Sequence, residues 1–361
     1  MLGSIMVRSE YCKSVALLIA SIVFTLLLGE LAVRAFGTDA ARWRLQNFVV
    51  DPSLGDSRRR TMQPHPLLGY VPRPGYHWIG SDGRSISFDD EGFRQHHALD
   101  PAPANGEPLL VTGDSYAMGE EVSDDETVPA HLEQALGRPV INAGVSGNGL
   151  DQIVLRSEAL VPRLQPAVLV VTFIADDVWR AAQRTLWGAP KPYFEIADGA
   201  LVLRNQPVPP PDDRRLDLFR RTVGYSFLAH TLMRRLGLTA YWYRGQVQHV
   251  EPSGADGAQL ACLLMQRLAR LAEGGLRVMV VAEYTPQAWP GQLYHRPEGQ
   301  VTQPVLACAR DAGLEPVDML PALAAEVARA GVERLYRAGH MSDIGNRLVA
   351  EQIAGRLGQP L

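Results

Sequence analysis

From Ser14 to Gly29 the chain is uncharged and almost wholly apolar, with Lys13 before it and Glu30 and Arg34 after it. The run falls short of the ~20 residues that cross a bilayer and reaches that length if it continues to Val33. No small-x-small cleavage site follows Leu28, and the helical pattern runs on through Leu31, Ala32, Val33 and Phe36. The segment therefore reads as an uncleaved signal anchor rather than a removed signal peptide. Arg8 and Lys13 on one side face Arg34, Arg42 and Arg44 on the other, so the charges leave its orientation open.

Residues 38–106 change character, being rich in Pro, Gly, Asp and Arg, with short strands expected at Tyr76–Ile79 and Ser85–Phe88. Pro64, Pro66, Pro72 and Pro74 exclude a helix there. The sequence from Pro101 to Gly106 marks a boundary. Beyond it, strand and helix alternate. Leu109–Thr112 is a short apolar strand and Val140–Ala143 a second. Ala167–Ile174 is a strongly apolar, central third strand, followed in turn by Leu276–Ala282 and Glu315–Asp318. Helices are expected from Thr127, an N-cap, to a stop at Gly137, then over Asp151–Val161, Ala258–Glu273 and 300–313, with a last one from near Ser342. This order predicts an α/β fold: a parallel sheet between two helical layers, a three-layer sandwich.

Residues 188–257 interrupt the alternation. Pro207–Pro211 break the chain, and Asp212–Leu236 reads as one or two amphipathic helices with Leu216, Phe219, Val223, Phe227 and Leu232 on one face. The insertion reads as a cap over the site; core packing and contact with a membrane or lipid are both open for its Arg-flanked apolar face. The organisation expected is an anchor (1–37), an extended lead-in (38–106) and a main domain (107–361) carrying the insertion.

Composition changes this picture little. With 46% hydrophobic and 20% charged residues the 361-residue chain is globular, and its net charge of −4 gives no reason to expect nucleic acid. Arg59-Arg60, Arg214-Arg215, Arg220-Arg221 and Arg234-Arg235 read as solvated helix faces. Cys12, Cys262 and Cys308 form no metal-ligand pattern. If the domain is exported, Cys262 and Cys308 could form a disulfide; two buried thiols are the other reading. His65, His96 and His97 lack metal-binding spacing, and no metal or cofactor is implied.

The chemistry gathers where strands end. Gly113-Asp114-Ser115 follows the first strand, where a Gly allows a sharp turn and a Ser hydroxyl can project from the sheet edge. Asp114 reads as a brace for that turn. A Ser hydroxyl needs a base to become a nucleophile, which a His supplies, and the developing oxyanion needs fixed donors. Together with Asn142-Ala143-Gly144-Val145-Ser146-Gly147, Ala175-Asp176-Asp177 and Gly339-His340-Met341-Ser342, the Gly-Asp-Ser block resembles the sequence blocks of the SGNH, or GDSL, hydrolases. Asp89-Asp90-Glu91-Gly92-Phe93-Arg94 and the apolar N-terminal segment resemble a membrane-anchored bacterial subgroup.

The resemblance implies a flavodoxin-like sheet, Ser115 as nucleophile, His340 as base, and an oxyanion hole from the Ser115 and Gly147 N–H groups. It also exposes two departures. Asp176 stands where the family has a donating Asn, so either burial protonates it or another amide replaces it, with Asn148 the obvious substitute. Arg337 stands where the family places an Asp three residues before the His, which leaves a dyad unless Asp177, Asp343 or a backbone carbonyl holds the imidazole. The activity implied is acyl-ester cleavage or transfer by a single-pass inner-membrane protein with a periplasmic domain. Its substrate would be an acylated carbohydrate, O-acetyl groups on envelope or exported polysaccharide in particular, with lipid esters the second choice. A weak or inactive domain that binds a glycan or protein partner is the opposing reading, and the oligomeric state is open.

Overall fold

The computed structural model describes residues 2–36, 61–97, 107–210, 217–244 and 250–358. Arg42, Arg44, Arg59-Arg60, the boundary at Pro101–Gly106, Arg214-Arg215 and Leu216 lie outside the described residues. The described residues fall into two compact units: residues 2–36 with 217–244, and a larger one built from 61–97, 107–186, 190–210 and 251–358. The expected insertion is thus divided between them.

In the first unit, helix α1 runs without a break over Leu2–Phe36. Its stretch from Lys13 to Phe36 is long and apolar enough to cross a membrane. Three short helices accompany it. The amphipathic stretch expected as far as Leu236 breaks at Gly224–Ser226, because Asp217 caps one helix and Ser226 caps the next through backbone N–H bonds three residues on.

The second unit is built on five parallel strands: β1 (Leu109–Thr112), β2 (Val140–Asn142), β3 (Val168–Phe173), β4 (Arg277–Ala282) and β5 (Glu315–Asp318). Their spatial order is 2-1-3-4-5, with Leu109 aligned to both Val140 and Val168, and Val168 to Arg277. Every residue of β1 and β3 is buried, which is why both read as unbroken apolar runs. Helices cover both faces. In chain order they are α2 (Ser115–Met118), α3 (Val128–Leu136), α4 (Leu150–Leu164), α5 (Ala175–Ala181), α6 (Gly257–Ala269), α7 (Gly299–Asp311), α8 (Leu320–Ala330) and α9 (Asp343–Leu357). Helices α3, α8 and α9 pack in one layer, and α4, α6 and α7 in the other. In such a sheet the chain reverses direction between β1 and β3, and the crevice at their carboxyl ends is where ligands bind.

Local signals set the helix ends. Thr127 Oγ1 accepts from Ala130 N–H, Pro129 occupies the first turn of α3, and Gly137 closes it with φ 60°. Ser342 Oγ likewise accepts from Gly345 N–H at the start of α9. Two hairpins of the lead-in, Met62–His65 with Gly69–Pro72 and His77–Ile79 with Ser85–Ser87, belong to this unit. So does Tyr193–Ala197 with Ala200–Arg204, a hairpin from the expected insertion whose Phe194 is buried in the main core. Cys262 on α6 and Cys308 on α7 form a disulfide.

Gly144 shows how tightly the sheet edge is packed. A Cβ at this position would lie 2.3 Å from Met118 N and 2.8 Å from Ala117 C, backbone atoms of α2. Nothing flexible can give way, so Gly144→Ala must displace the helix that opens with Ser115. The expected loss is about 1–3 kcal/mol, read as a lower urea midpoint with an unchanged slope.

Candidate active site

Ser115 opens α2 directly after β1. The Asp114 side chain caps this turn: Oδ1 accepts from Tyr116 N–H at 2.9 Å, and Oδ2 accepts from Ser115 Oγ at 3.3 Å. The glycine before it is required by close approach, since a Cβ on Gly113 would lie 2.4 Å from Thr172 Oγ1 and 2.6 Å from Ala117 Cβ. His340 arrives from the other end of the chain on a tight hairpin, Tyr336–Arg337 paired with His340–Met341. Ala338 and Gly339 form its turn with φ 48° and 96°, the left-handed pair that a two-residue hairpin needs. His340 Nε2 lies 3.0 Å from Ser115 Oγ. That is hydrogen-bond reach for proton transfer.

What holds the imidazole is unusual. Its buried Nδ1 has no hydrogen-bond partner. Asp343 instead bonds His131 Nε2 at 2.9 Å and Arg347 at 2.8 Å, and Asp177 bonds Arg180 at 2.7 Å and Ile174 N–H at 3.0 Å. Neither carboxylate contacts the imidazole: Asp177 accepts a backbone N–H at the start of its own helix and pairs with Arg180, and Asp343 pairs with His131 and Arg347. Arg337 pairs with Asp82 at 2.9 Å. Orientation comes from Tyr116, whose ring centroid lies 5.4 Å from that of His340 and whose hydroxyl donates to Gly339 O at 2.8 Å. Glu120 Oε2 also approaches His340 Nε2, at 3.6 Å, while accepting from Ser146 Oγ at 2.7 Å.

The loop after β2 carries Gly147 and Asn148, the residues expected to supply N–H donors. Gly147 has φ 73°, and the buried Tyr70 hydroxyl donates to its carbonyl at 2.8 Å, fixing the loop from the lead-in hairpin. Asn148 is buried beside it; its carbonyl accepts from Arg180 at 3.5 Å and its side-chain Oδ1 has no partner. Asp176 corrects one expectation. Its side chain is 30% exposed and pairs with Arg296 at 2.5 Å, so it is not the buried group that expectation required. Among the described residues no group of three metal-binding side chains forms.

Tyr70, Tyr116, Glu120, Arg180 and Arg94 are site residues that sequence reasoning did not single out as such. Arg94 ends the Asp-Asp-Glu-Gly-Phe-Arg segment, which was noticed. Its buried guanidinium bonds Asp124 at 2.6 Å and the carbonyls of Met118, Gly119 and Val122 at 3.0–3.1 Å. It thereby shapes the loop that carries Glu120.

No family model matches this chain, and no curated protein does. Some solved structures are similar at low identity. An alpha/beta hydrolase enzyme from the metagenome of Lake Arreo, Spain, is 14% identical over 71% of this chain and 98% of its own, with a TM-score of 0.43. A catalytic mutant of an acetylxylan esterase from Geobacillus stearothermophilus is 16% identical, covering 71% and 96%, with a TM-score of 0.42. A lipase/acylhydrolase from Enterococcus faecalis is 15% identical, covering 70% and 95%, with a TM-score of 0.39. Likeness at this level carries no argument about chemistry, which rests on the geometry above.

Beneath the site lies a carboxyl group that the Ser–His pair does not touch. Glu283 follows β4, is fully buried, and has no hydrogen bond to either side-chain oxygen. Burial first, and then the charge of Asp114, raise its pKa to about 8; the Thr172 hydroxyl works weakly in the opposite direction. Between its ordinary value of 4.5 and about 8 the unfolded chain has released this proton and the folded chain keeps it. Stability therefore falls as pH rises through that window, by ~1.4 kcal/mol per unit at most. Glu283→Gln removes this slope. Denaturant titrations at pH 5 and pH 8 are expected to show the variant gaining on the parent by a few kcal/mol at the higher pH.

Proposed function

We propose that this chain is a membrane-anchored serine esterase or acyltransferase of the SGNH/GDSL type that forms an acyl-enzyme on Ser115. The observation that supports it is the 3.0 Å contact between Ser115 Oγ and His340 Nε2 at the carboxyl edge of a 2-1-3-4-5 sheet. Nε2 accepts the hydroxyl proton as Oγ attacks the ester carbonyl. The carbonyl oxygen, now an anion, is held by the N–H groups of Ser115 and Gly147, with the Asn148 amide as third donor; each such donor is worth about 3–4 kcal/mol of barrier. Collapse breaks the bond to the alcohol, which leaves with the proton from His340. Water or a sugar hydroxyl then gives up a proton to His340 and takes the acyl group from Ser115.

The substrate proposed is an O-acetyl ester on envelope or exported polysaccharide. A disulfide between Cys262 and Cys308 supports an oxidising compartment, hence a periplasmic domain behind a single inner-membrane span. The second reading, a binding domain with little turnover, is favoured by the unpartnered His340 Nδ1. Loss of an orienting acid lowers the rate of a Ser–His–Asp enzyme by ~10⁴.

A fluorophosphonate probe separates the two readings. The parent protein is expected to be labelled at Ser115, and Ser115→Ala and His340→Ala to be silent, with acetyl-ester turnover falling at least about 10³-fold. Asp343→Asn is expected to keep turnover near the parent's, because that carboxylate serves His131. A folded parent that takes no label, or a Ser115→Ala variant with full turnover, rejects the esterase assignment.

A further inference from the structure

Among the described residues, the helices accompanying α1 leave an apolar face exposed. They are Leu218–Val223, Phe227–Arg235 and Thr239–Tyr243. Their inner side is well satisfied. Trp242 is fully buried and donates from Nε1 to His230 Nδ1 at 3.1 Å, while the buried Arg220 bonds Asp217 and the carbonyls of Tyr241 and Arg244. The outer side carries Leu218, Phe219, Tyr225, Leu232, Leu236 and Leu238, all exposed, Leu218 at 79% and Leu236 at 60%. Interspersed with them are exposed Arg221, Arg234, Arg235 and Arg244.

Where this cluster is attached identifies what covers it. Helix Phe227–Arg235 docks at its N-terminus on α1, at the end of the apolar run. Glu30 accepts from Ser226 Oγ at 2.8 Å, Phe227 N–H at 3.1 Å, Leu228 N–H at 2.9 Å and Arg34 Nε at 2.6 Å. A carboxylate at the edge of a membrane span is thus fully occupied, and it caps a helix nearly 200 residues away in sequence. Arg34 lies over the Phe227 ring at 4.6 Å, and a Cβ on Gly29 would meet Leu228 Cδ2 at 2.9 Å. The docking therefore sets the N-terminus of helix Phe227–Arg235 at the level of residues 29–34, within about one and a half turns of where the uncharged stretch ends. Apolar side chains interleaved with arginines at that depth match acyl chains below and anionic phosphate headgroups above.

We propose that residues 217–244 are an interfacial platform that lies in the leaflet where α1 emerges, its apolar face inserted among lipids and its arginines on anionic headgroups. The proposal takes α1 as a membrane span and is independent of the esterase reading. A second copy of the chain or a protein partner would bury the same face differently, by shielding it from lipid as well as from water.

The test uses the full chain with Cys12→Ser and the disulfide intact, carrying a single nitroxide at Leu218→Cys, Leu232→Cys or Leu236→Cys. A reference label sits at Glu273→Cys, an exposed position of the larger unit. In vesicles of phosphatidylcholine with phosphatidylglycerol, the three platform labels are expected to collide severalfold more with oxygen than with a water-soluble nickel complex. The reference label is expected to do the reverse. Nickel accessibility at all three positions equal to the reference, or shielding from both quenchers, overturns the proposal. Glu30→Ala, which removes the cap but leaves the span apolar, is expected to move the Leu232 label toward water. An unmoved label would reject Glu30 as the docking group.

Discussion

Asp114 is a carboxylate with no access to solvent, set one residue before the nucleophile, and the site around it is arranged to accommodate its charge. Removing an ion from water costs several kcal/mol unless charge and hydrogen bonds replace the hydration. Here Tyr116 N–H, Ser115 Oγ and Arg180 supply them. Arg180 is shared with Asp177, also fully buried, whose pKa burial and the neighbouring Asp114 charge push up together. Glu283, pushed up by the same charge, stays protonated at neutral pH. Two carboxyl groups, Asp114 and Asp177, thus share one guanidinium, and the Asp114 charge also acts on Glu283. The loop after β2 is fixed beside this cluster by the Tyr70 hydroxyl on the Gly147 carbonyl.

The parallel sheet was legible because its strands are short, the central ones are unbroken apolar runs, and each is followed by a turn; its order, 2-1-3-4-5, is not the chain order of the blocks. Thr127 and Gly137 were legible as caps because capping acts within three residues. Long-range pairings were not. Arg180 reads as one more polar residue in a short helix until Asp114, 66 positions away, is placed beside it. Helix α8 was passed over; so was the hairpin at 193–204, because a segment taken as an insertion hid a strand pair that packs on the main core. Asp177 and Asp343 were offered as partners for the imidazole on proximity in sequence to the motifs. Nearer partners hold both: Asp177 caps its own helix and pairs with Arg180, and Asp343 pairs with His131 and Arg347.

The segment at 217–244 shows the same limit from the other side. Its apolar periodicity was visible, and so were its flanking arginines, but amphipathic spacing is equally suited to a core and to a lipid surface. The docking on Glu30 bears on the choice, because it attaches the helix to the described segment that is long and apolar enough to cross a membrane. A single carboxylate at the end of an apolar run, which in isolation reads as the boundary of a span, is here a cap acting across the fold.

Position 337 explains why the His–Ser pair can persist without an acid. The two-residue turn sets residue 337 directly opposite His340 in the ladder, so its side chain starts on the same face of the hairpin. A short acidic side chain there could reach back to the imidazole. The Arg337 side chain is long, and its guanidinium ends on Asp82 in the turn of a lead-in hairpin. The hairpin is therefore tied down from outside by Arg337 and from inside by the Tyr116 hydroxyl on Gly339 O. Between these two ties the imidazole is positioned by packing rather than by charge. The neutral tautomer that can accept the Ser115 proton must then carry a buried Nδ1–H with no acceptor, a penalty of about 1–3 kcal/mol. In the proposed reaction that penalty would slow proton transfer without disturbing the 3.0 Å distance over which it would occur, so the geometry of the pair does not by itself set a rate.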